Sequence, residues 1–253
     1  MRVALCFSGL VGGTKGKSGS GGPGDILDIS YKHFDENIFQ HNEVDIFVHS
    51  WSVEESKAIE DKFNPKSSIF EDQIWWDKNP HRNFRKNNHI SKWYSMKKAI
   101  ELKCEYEKEN KFTYDFVMNS RFDIAWQTKI DFKKFDKQNF YVGNWNRRYY
   151  PNGKEIKNRL YYNQEVKDYK EKLVGYPHNE EGFIDQWFFS SSENMDKFAT
   201  LFDNFKKYDE LGSENDDHEG DIKQLNLINN VKFAFYLHDD FPLIRRWYYK
   251  CGK

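Results

Sequence analysis

The sequence lacks an excess of charge, paired cysteines and a long apolar segment, and each absence argues against a class of protein. Its 39 Lys+Arg and 40 Asp+Glu leave a net charge of −1, which argues against a protein that binds nucleic-acid phosphates. Its 3 cysteines, Cys6, Cys104 and Cys251, are odd in number and scattered, which favours reduced thiols and a cytoplasmic location. The densest late apolar run, residues 233–237, is far too short to cross a bilayer, so we expect no membrane span.

Several motifs that carry chemistry are also missing. The sequence has no Cys-x-x-Cys pair, no His-Glu-x-x-His and no Gly-x-Ser-x-Gly, so zinc-ribbon and serine-hydrolase interpretations have no support. What the chain does have is aromatic mass. Aromatic residues make up 18% of its 253 residues, which provides material for a substantial core although 31% of residues are charged. This size fits a single α/β domain or two small ones that share a core.

Hydrophobic periodicity at the start of the chain predicts a β-α-β unit, and therefore a parallel sheet. Residues 2–7 and 44–48 are short apolar runs, and a helix that begins near Asp25 separates them. Further strands are predicted at 67–74, 114–118, 140–142, 183–189 and 231–237, and further helices from 91, from 195 and at 222–228. We expect 75–89 and 209–221 to be exposed loops, and 144–181 to cross the active face of the domain.

A glycine-rich loop follows the first predicted strand, and it allows three interpretations. Eight of the chain's 15 glycines lie between Gly9 and Gly24. The segment Gly16-Lys17-Ser18 resembles the end of a nucleotide-binding P-loop, but the required first glycine would be at position 11, which is Val. The loop could equally be a surface segment without a ligand. The third interpretation is a loop that offers its amides, with Lys15 and Lys17, to a diphosphate at the carboxyl end of a strand.

Arg121 and Asp123 follow the predicted strand at 114–118 directly. A carboxylate at the carboxyl end of a buried strand is costly unless it meets a cation or a hydrogen-bond donor. It could bind Mn²⁺ or Mg²⁺ in front of a nucleotide diphosphate, while Arg121 offsets phosphate charge. The alternative is a purely structural Arg–Asp pair.

Two more acidic or imidazole side chains are candidates for chemistry. Asp185 lies among bulky apolar residues, where partial desolvation would raise its proton affinity and suit it to act as a general base. It could instead cap a helix or form a buried hydrogen bond. His238 follows the last predicted strand and could complete a metal site, although an isolated histidine there is more often solvated.

Five segments, taken in order, resemble the small GT-A-fold glycosyltransferases of bacteria, phages and large DNA viruses. The segments are 3–9, 44–51, 91–99, 114–123 and 182–189. The resemblance implies a Rossmann-like α/β fold, with a mixed, mostly parallel central sheet flanked by helices. It implies a single domain over 1–253, with 1–123 as the nucleotide-binding half and 124–253 as the acceptor-binding half.

The resemblance also assigns roles to residues of this sequence. It implies that Asp123 and His238 bind the metal, that Arg121 and Asp123 replace the family's D-x-D motif, and that Asp185 activates the acceptor. Relatives carry an arginine after the opening Ser-Gly; here Lys15 or Lys17 would substitute for it. The implied nucleotide-binding residues are Phe7, Ser8, Gly9, Lys15, Lys17, Ser50, Trp51, Tyr94, Ser95, Arg121 and Asp123.

The function implied is the transfer of a sugar from a nucleotide-sugar donor, expected to be a UDP-sugar, to a glycan or another hydroxyl acceptor. The resemblance implies dependence on Mn²⁺ or Mg²⁺ and an inverting reaction, in the host cytoplasm if the protein is encoded by a virus or phage. Two alternatives come from the residues themselves. One is a nucleotide kinase or NTPase that uses the Gly-Lys-Ser loop, and the other is a non-catalytic carbohydrate-binding module built on aromatics such as Trp75 and Trp76.

Overall fold

A six-stranded sheet forms the centre of the described part of the chain. The structure is a computed structural model, and it describes residues 1–12, 23–76, 84–143, 184–204, 241 and 243–244. The strands are β1 Arg2–Gly9, β2 Glu43–Ser50, β3 Ser67–Phe70, β4 Phe116–Ser120, β5 Tyr141–Gly143 and β6 Ile184–Ser190. Their order is β3-β2-β1-β4-β6-β5. The first four strands are parallel to one another, whereas β6 is antiparallel to both β4 and β5, so the predicted mixed, mostly parallel sheet is confirmed.

Helices cover both faces of this sheet. They are α1 Pro23–Asn37, α2 Ser56–Phe63, α3 Phe84–Asn110 and α4 Ser192–Ala199. Strand β1 explains the two layers, because its side chains alternate between the faces. Val3, Leu5 and Phe7 pack in one apolar cluster with α1 and α2. Ala4 and Cys6 pack in a second cluster with α3 and α4.

Most predicted elements in the described residues are confirmed, but the strand predicted at 67–74 ends at Phe70, and two helices differ from the prediction. Helix α2 was not predicted, because its 8 residues bury only Ile59 and Phe63 and show too short a stripe. Helix α3 begins at Phe84, inside the segment predicted as a loop, because its first turns lack the apolar spacing of its later turns. The segments 144–181 and 209–221 and the elements expected at 222–228 and 231–237 lie outside the described residues.

The strand order reverses between β1 and β4. The chain adds β2 and then β3 on one side of β1, and afterwards adds β4 on the other side. Ligands of open α/β sheets bind outside the carboxyl ends of the strands at such a reversal. Strand β6 is antiparallel, so its amino-terminal end lies at the same edge. We call this edge, formed by the ends of β1, β2, β3 and β4 and the start of β6, the switch edge.

Two expectations from composition can be compared with the described residues. No helix among them is long and apolar enough to cross a membrane. Cys6 and Cys104 are both free thiols, and burial raises the pKa of each of them, that of Cys104 to about 12.

Candidate functional site

Polar side chains join the ends of β1 and β4 at the switch edge. The Asn119 side-chain amide donates to the Ser8 hydroxyl at 3.0 Å and to the Cys6 carbonyl oxygen at 2.9 Å. Ser8 and Asn119 are 5% and 2% exposed. Buried polar side chains are costly unless they are hydrogen-bonded, and here each satisfies the other. Buried polar side chains therefore join the ends of β1 and β4 and fix them relative to each other.

Gly9, the last residue of β1, is held by side chains from two other elements. Its φ of +97° lies in the left-handed region, which glycine adopts at little cost. Its N–H donates to the Ser95 hydroxyl at 2.7 Å, and its carbonyl oxygen accepts from the Ser50 hydroxyl at 2.9 Å. The predicted site residues Gly9, Ser50 and Ser95 thus lie together, but their polar groups bond to one another.

The start of the glycine-rich loop is fixed in the same way. The Val11 N–H donates to the Ser52 hydroxyl at 3.0 Å. The amides of Gly9 and Val11 are therefore both engaged within the protein. Lys15 and Lys17 lie outside the described residues, so their predicted contact with a diphosphate stays a prediction.

A buried histidine connects β2 to its neighbours. His49 is 0% exposed. Its Nδ1 lies 2.7 Å from the Ser95 hydroxyl, and its Nε2 lies 3.0 Å from the Glu71 carboxylate that follows β3. Burial lowers the pKa of His49, although the nearby Glu71 carboxylate opposes this shift. Sequence reasoning missed both residues; the only signal was a polar side chain near the end of a buried strand.

The lowered pKa of His49 predicts that the protein loses stability in mild acid. The folded state resists protonation of this imidazole, whereas the unfolded chain takes up the proton as the pH falls through the ordinary value of 6.5. The contribution of His49 is thus present above that pH and lost below it. The free energy of unfolding, measured with urea at pH 7.5 and 5.5, should fall more for wild type than for His49→Gln. The difference is at most about 1.4 kcal/mol per pH unit. Equal losses would contradict this prediction.

Arg121 and Asp123 form a two-pronged ion pair at the end of β4. Arg121 Nε and Nη2 donate to the two carboxylate oxygens of Asp123 at 2.7 Å and 2.6 Å. The Asp123 side chain is 3% exposed, whereas that of Arg121 is 33% exposed. The guanidinium therefore lies on the solvent side of the carboxylate. This geometry is the Arg–Asp pair that the sequence offered as the alternative to a metal ligand.

The described residues as they stand do not fit a divalent cation at Asp123. Both of its oxygens accept hydrogen bonds from Arg121, so a metal would have to displace the guanidinium. Within the described ranges, no group of three potential His, Cys, Asp or Glu ligands includes Asp123. His238, the other predicted ligand, lies outside them. Binding of Mn²⁺ or Mg²⁺ at Asp123 therefore stays a prediction from the sequence.

The main chain of Asp185 lies at the same edge as Arg121. Asp185 belongs to β6, and the main-chain carbonyl oxygen of the next residue, Gln186, accepts a hydrogen bond from the Arg121 main-chain N–H at 3.2 Å. The side chain of Asp185 lies outside the description. The fold nevertheless brings the predicted general base and the predicted phosphate ligand to adjacent strand ends.

Aromatic rings pack beside these polar groups. Trp51 stacks on Tyr94 with ring centroids 5.4 Å apart, and Trp76 and Phe202 pack against Tyr94 at 5.5 and 5.2 Å. Trp51 is only 6% exposed, and its buried indole N–H has no hydrogen-bond partner among the described residues. Burial and the Glu71 carboxylate raise the pKa of Tyr94 to about 12, so its phenol stays protonated. Trp75, by contrast, is 48% exposed.

Phe7 differs from its predicted role in one respect. Its ring is 0% exposed and packs against Phe34, Phe63 and Phe122 at centroid distances of 4.8–4.9 Å. The side chain therefore belongs to the core on the α1 face. Only the main chain of Phe7 could contribute to a ligand site at the switch edge.

A second polar cluster lies between α3 and α4, away from the switch edge. The Lys103 ammonium is 0% exposed and donates to Asp196 and Ser192 at 2.6 Å each and to Glu107 at 2.9 Å. Burial opposes its charge, but the carboxylates outweigh burial, so the pKa of Lys103 is raised. Cys104, Glu107 and Asp196 are close enough to share a metal ion, but the Lys103 ammonium already pairs with both carboxylates.

Comparison with known proteins does not assign the chain to a family. No protein-family model matches it, and no curated protein matches it either. Function therefore has to be argued from the residues and from the geometry of the switch edge.

Proposed function

We propose that the protein is a glycosyltransferase of the GT-A type, which moves a sugar from a nucleotide-sugar donor, expected to be a UDP-sugar, to a glycan or another hydroxyl acceptor. One observation carries the proposal: the partly exposed guanidinium of Arg121 lies at the reversal of strand order, where open α/β sheets bind their ligands. The mixed, mostly parallel sheet and the motif resemblance support the same conclusion.

Arg121 would bind the diphosphate of the donor. Its side chain is anchored by two hydrogen bonds to Asp123, which fixes the plane of the guanidinium before a ligand arrives. Guanidinium groups suit phosphate oxygens because they are planar, always charged and weakly hydrated. When the bond from the sugar to the diphosphate breaks, negative charge grows on the leaving oxygen. A cation that is already oriented stabilises that charge without reorganising.

Asp185 would act on the acceptor. A carboxylate close to the anomeric carbon can take the proton from an attacking hydroxyl group, and attack opposite the leaving diphosphate gives inversion. The support for this role is topological, since β6 starts at the edge where β4 ends. Dependence on Mn²⁺ or Mg²⁺ stays a prediction, because Asp123 would have to exchange its pairing with Arg121 for the metal.

Donor binding is tested by thermal shift with UDP, GDP and dTDP, each measured in EDTA and with Mn²⁺. Hydrolysis of a panel of nucleotide sugars then identifies the donor. We expect one nucleoside diphosphate to stabilise the protein, and we expect one nucleotide sugar with the same nucleotide to be hydrolysed. Stabilisation by none of them would refute the proposal, and sustained ATP hydrolysis would favour the NTPase interpretation.

Asp185→Asn should separate binding from transfer. We expect the variant to bind the nucleotide with an unchanged Kd and to lose about 10²–10⁴-fold in transfer rate, the usual contribution of a general base. Asp203→Asn, which changes an acid that pairs with Lys97 on the surface, is the matched control. Transfer at the wild-type rate by Asp185→Asn would exclude Asp185 as the base.

A further inference from the structure

A chain of hydrogen bonds runs from the end of β1 to the surface at the end of β3. It begins at the Gly9 N–H, which lies 2.7 Å from Ser95 Oγ. Ser95 Oγ lies 2.7 Å from His49 Nδ1, and His49 Nε2 lies 3.0 Å from Glu71 Oε1. Ser95 and His49 are each 0% exposed, whereas the Glu71 side chain is 36% exposed. The chain thus connects β1, α3, β2 and the segment after β3.

The chemistry of its members gives this chain one direction. Nε2 of His49 faces a carboxylate, which only accepts, so Nε2 carries the proton of the neutral ring. Nδ1 is then an acceptor, and the Ser95 hydroxyl donates to it at a shorter distance than the 3.2 Å to the His49 carbonyl oxygen. The Ser95 oxygen in turn accepts from Gly9. Every donor has an acceptor, and such fully satisfied buried networks rigidify the groups that they join.

Serine, histidine and an acid are also the residue types of a nucleophilic triad. Ser95 cannot serve as a nucleophile in this arrangement, because it is 0% exposed and its oxygen already accepts from the Gly9 N–H. The chain does not end at a substrate. It ends at a main-chain peptide of the switch edge.

We propose that Ser95 and His49 are positioning residues of the donor site, which hold the Gly9 peptide at the point where β1 leaves the sheet, and that Glu71 contributes only by fixing the tautomer of His49. This inference rests on the function proposed above. Gly9 follows Ser8, whose hydroxyl bonds to Asn119, so a rotated Gly9 peptide would displace the joined ends of β1 and β4, where we place the donor. Loss of one buried hydrogen bond to this peptide should weaken nucleotide binding by about tenfold.

Ser95→Ala and Ser91→Ala form a matched pair for the test. Both serines are buried on α3, at 0% and 3% exposure, but the Ser91 hydroxyl bonds to Gln73 and not to Gly9. We expect both variants to lose similar stability. Only Ser95→Ala should raise the Kd for the nucleoside diphosphate that stabilises wild type, by about tenfold. Equal Kd values for the two variants would overturn the inference.

Two substitutions at His49 each keep one of its two side-chain hydrogen bonds and remove the other. An asparagine side chain is short and can offer an oxygen to Ser95, as Nδ1 does, whereas a longer glutamine can offer an N–H to Glu71, as Nε2 does. If the hydrogen bonds from His49 through Ser95 hold Gly9, His49→Asn should keep the Kd for the nucleoside diphosphate within about threefold of wild type. His49→Gln should raise this Kd by about tenfold. The opposite order would overturn the inference.

A readout without a ligand separates this inference from the proposed function. Amide hydrogen exchange at Gly9, followed by NMR, should be faster in Ser95→Ala and His49→Gln than in wild type, and unchanged in Ser91→Ala. If wild type binds no nucleotide while Gly9 responds in this way, the donor-site proposal fails and the positioning of Gly9 stands. If exchange at Gly9 is the same in all variants, the positioning role itself is refuted.

Discussion

Replacing Lys103 by methionine is expected to lower the free energy of unfolding by about 3 kcal/mol, the low end of the effect of breaking a buried ion pair, because the Glu107 and Asp196 side chains are 11% and 40% exposed. The Lys103 ammonium is 0% exposed and bonds to Asp196, Glu107 and Ser192. Its removal leaves two carboxylates facing each other without a cation. The methionine fills most of the volume, so the loss is electrostatic and not the result of a cavity. Urea unfolding at pH 7 measures it.

Lys97→Met is the matched control for this prediction. Lys97 lies on the same helix and also pairs with an aspartate at 2.6 Å, Asp203, but the two side chains are 26% and 50% exposed. An exposed pair contributes about 0–1 kcal/mol, so this variant should unfold almost as wild type does. Adding Asp196→Asn to Lys103→Met should recover part of the loss, because it removes one of the unpaired charges. Similar losses for Lys97→Met and Lys103→Met would show that burial does not decide the strength of these pairs.

Lys103 shows why part of the fold escapes sequence reasoning. The spacing of Trp93, Met96 and Ile100 predicts the buried side of α3, and all three are buried. Lys103 continues the same spacing, yet a lysine usually marks a solvated face. Its carboxylate partner Asp196 comes from α4, 93 residues later, and no local pattern connects the two. The sequence signal available was a lysine at an apolar position with Glu107 one turn further on.

The arrangement of the switch edge, too, could be predicted only in part from the sequence. Parallel strands end at a common edge, so the sequence could predict that Gly9, Ser50 and Arg121 lie near one another. It could not predict that the hydroxyl of Ser50 bonds to Gly9, because a serine near a strand end can equally bind a ligand. The contact between His49 and Glu71 depends on β3 lying beside β2, which is a property of the sheet order and not of either segment.

Arg121→Ala is expected to have the largest effect on donor binding. Hydrogen bonds to a charged group contribute about 1.5–3 kcal/mol, so the Kd for UDP, or for whichever nucleoside diphosphate binds, should rise by about 10- to 100-fold. Arg121→Lys keeps the charge but loses the planar two-pronged contact with Asp123, so we expect an intermediate Kd. Isothermal titration in EDTA gives these values without a contribution from metal.

Arg2→Ala is the control for a general loss of positive charge, because Arg2 begins β1 at the opposite edge of the sheet, where its guanidinium lies over Phe112. The Kd of Arg2→Ala for the nucleoside diphosphate should equal that of wild type.

Asp123→Asn distinguishes the two roles that Asp123 could have. If Asp123 only orients Arg121, the change should weaken binding to the same degree in EDTA and in Mn²⁺. If Asp123 binds a metal, Mn²⁺ should strengthen nucleotide binding to wild type, and this gain alone should disappear in the variant. Wild-type affinity in a folded Arg121→Ala protein would mean that the diphosphate does not bind at the end of β4, because the ligand would then not depend on the guanidinium that lies there.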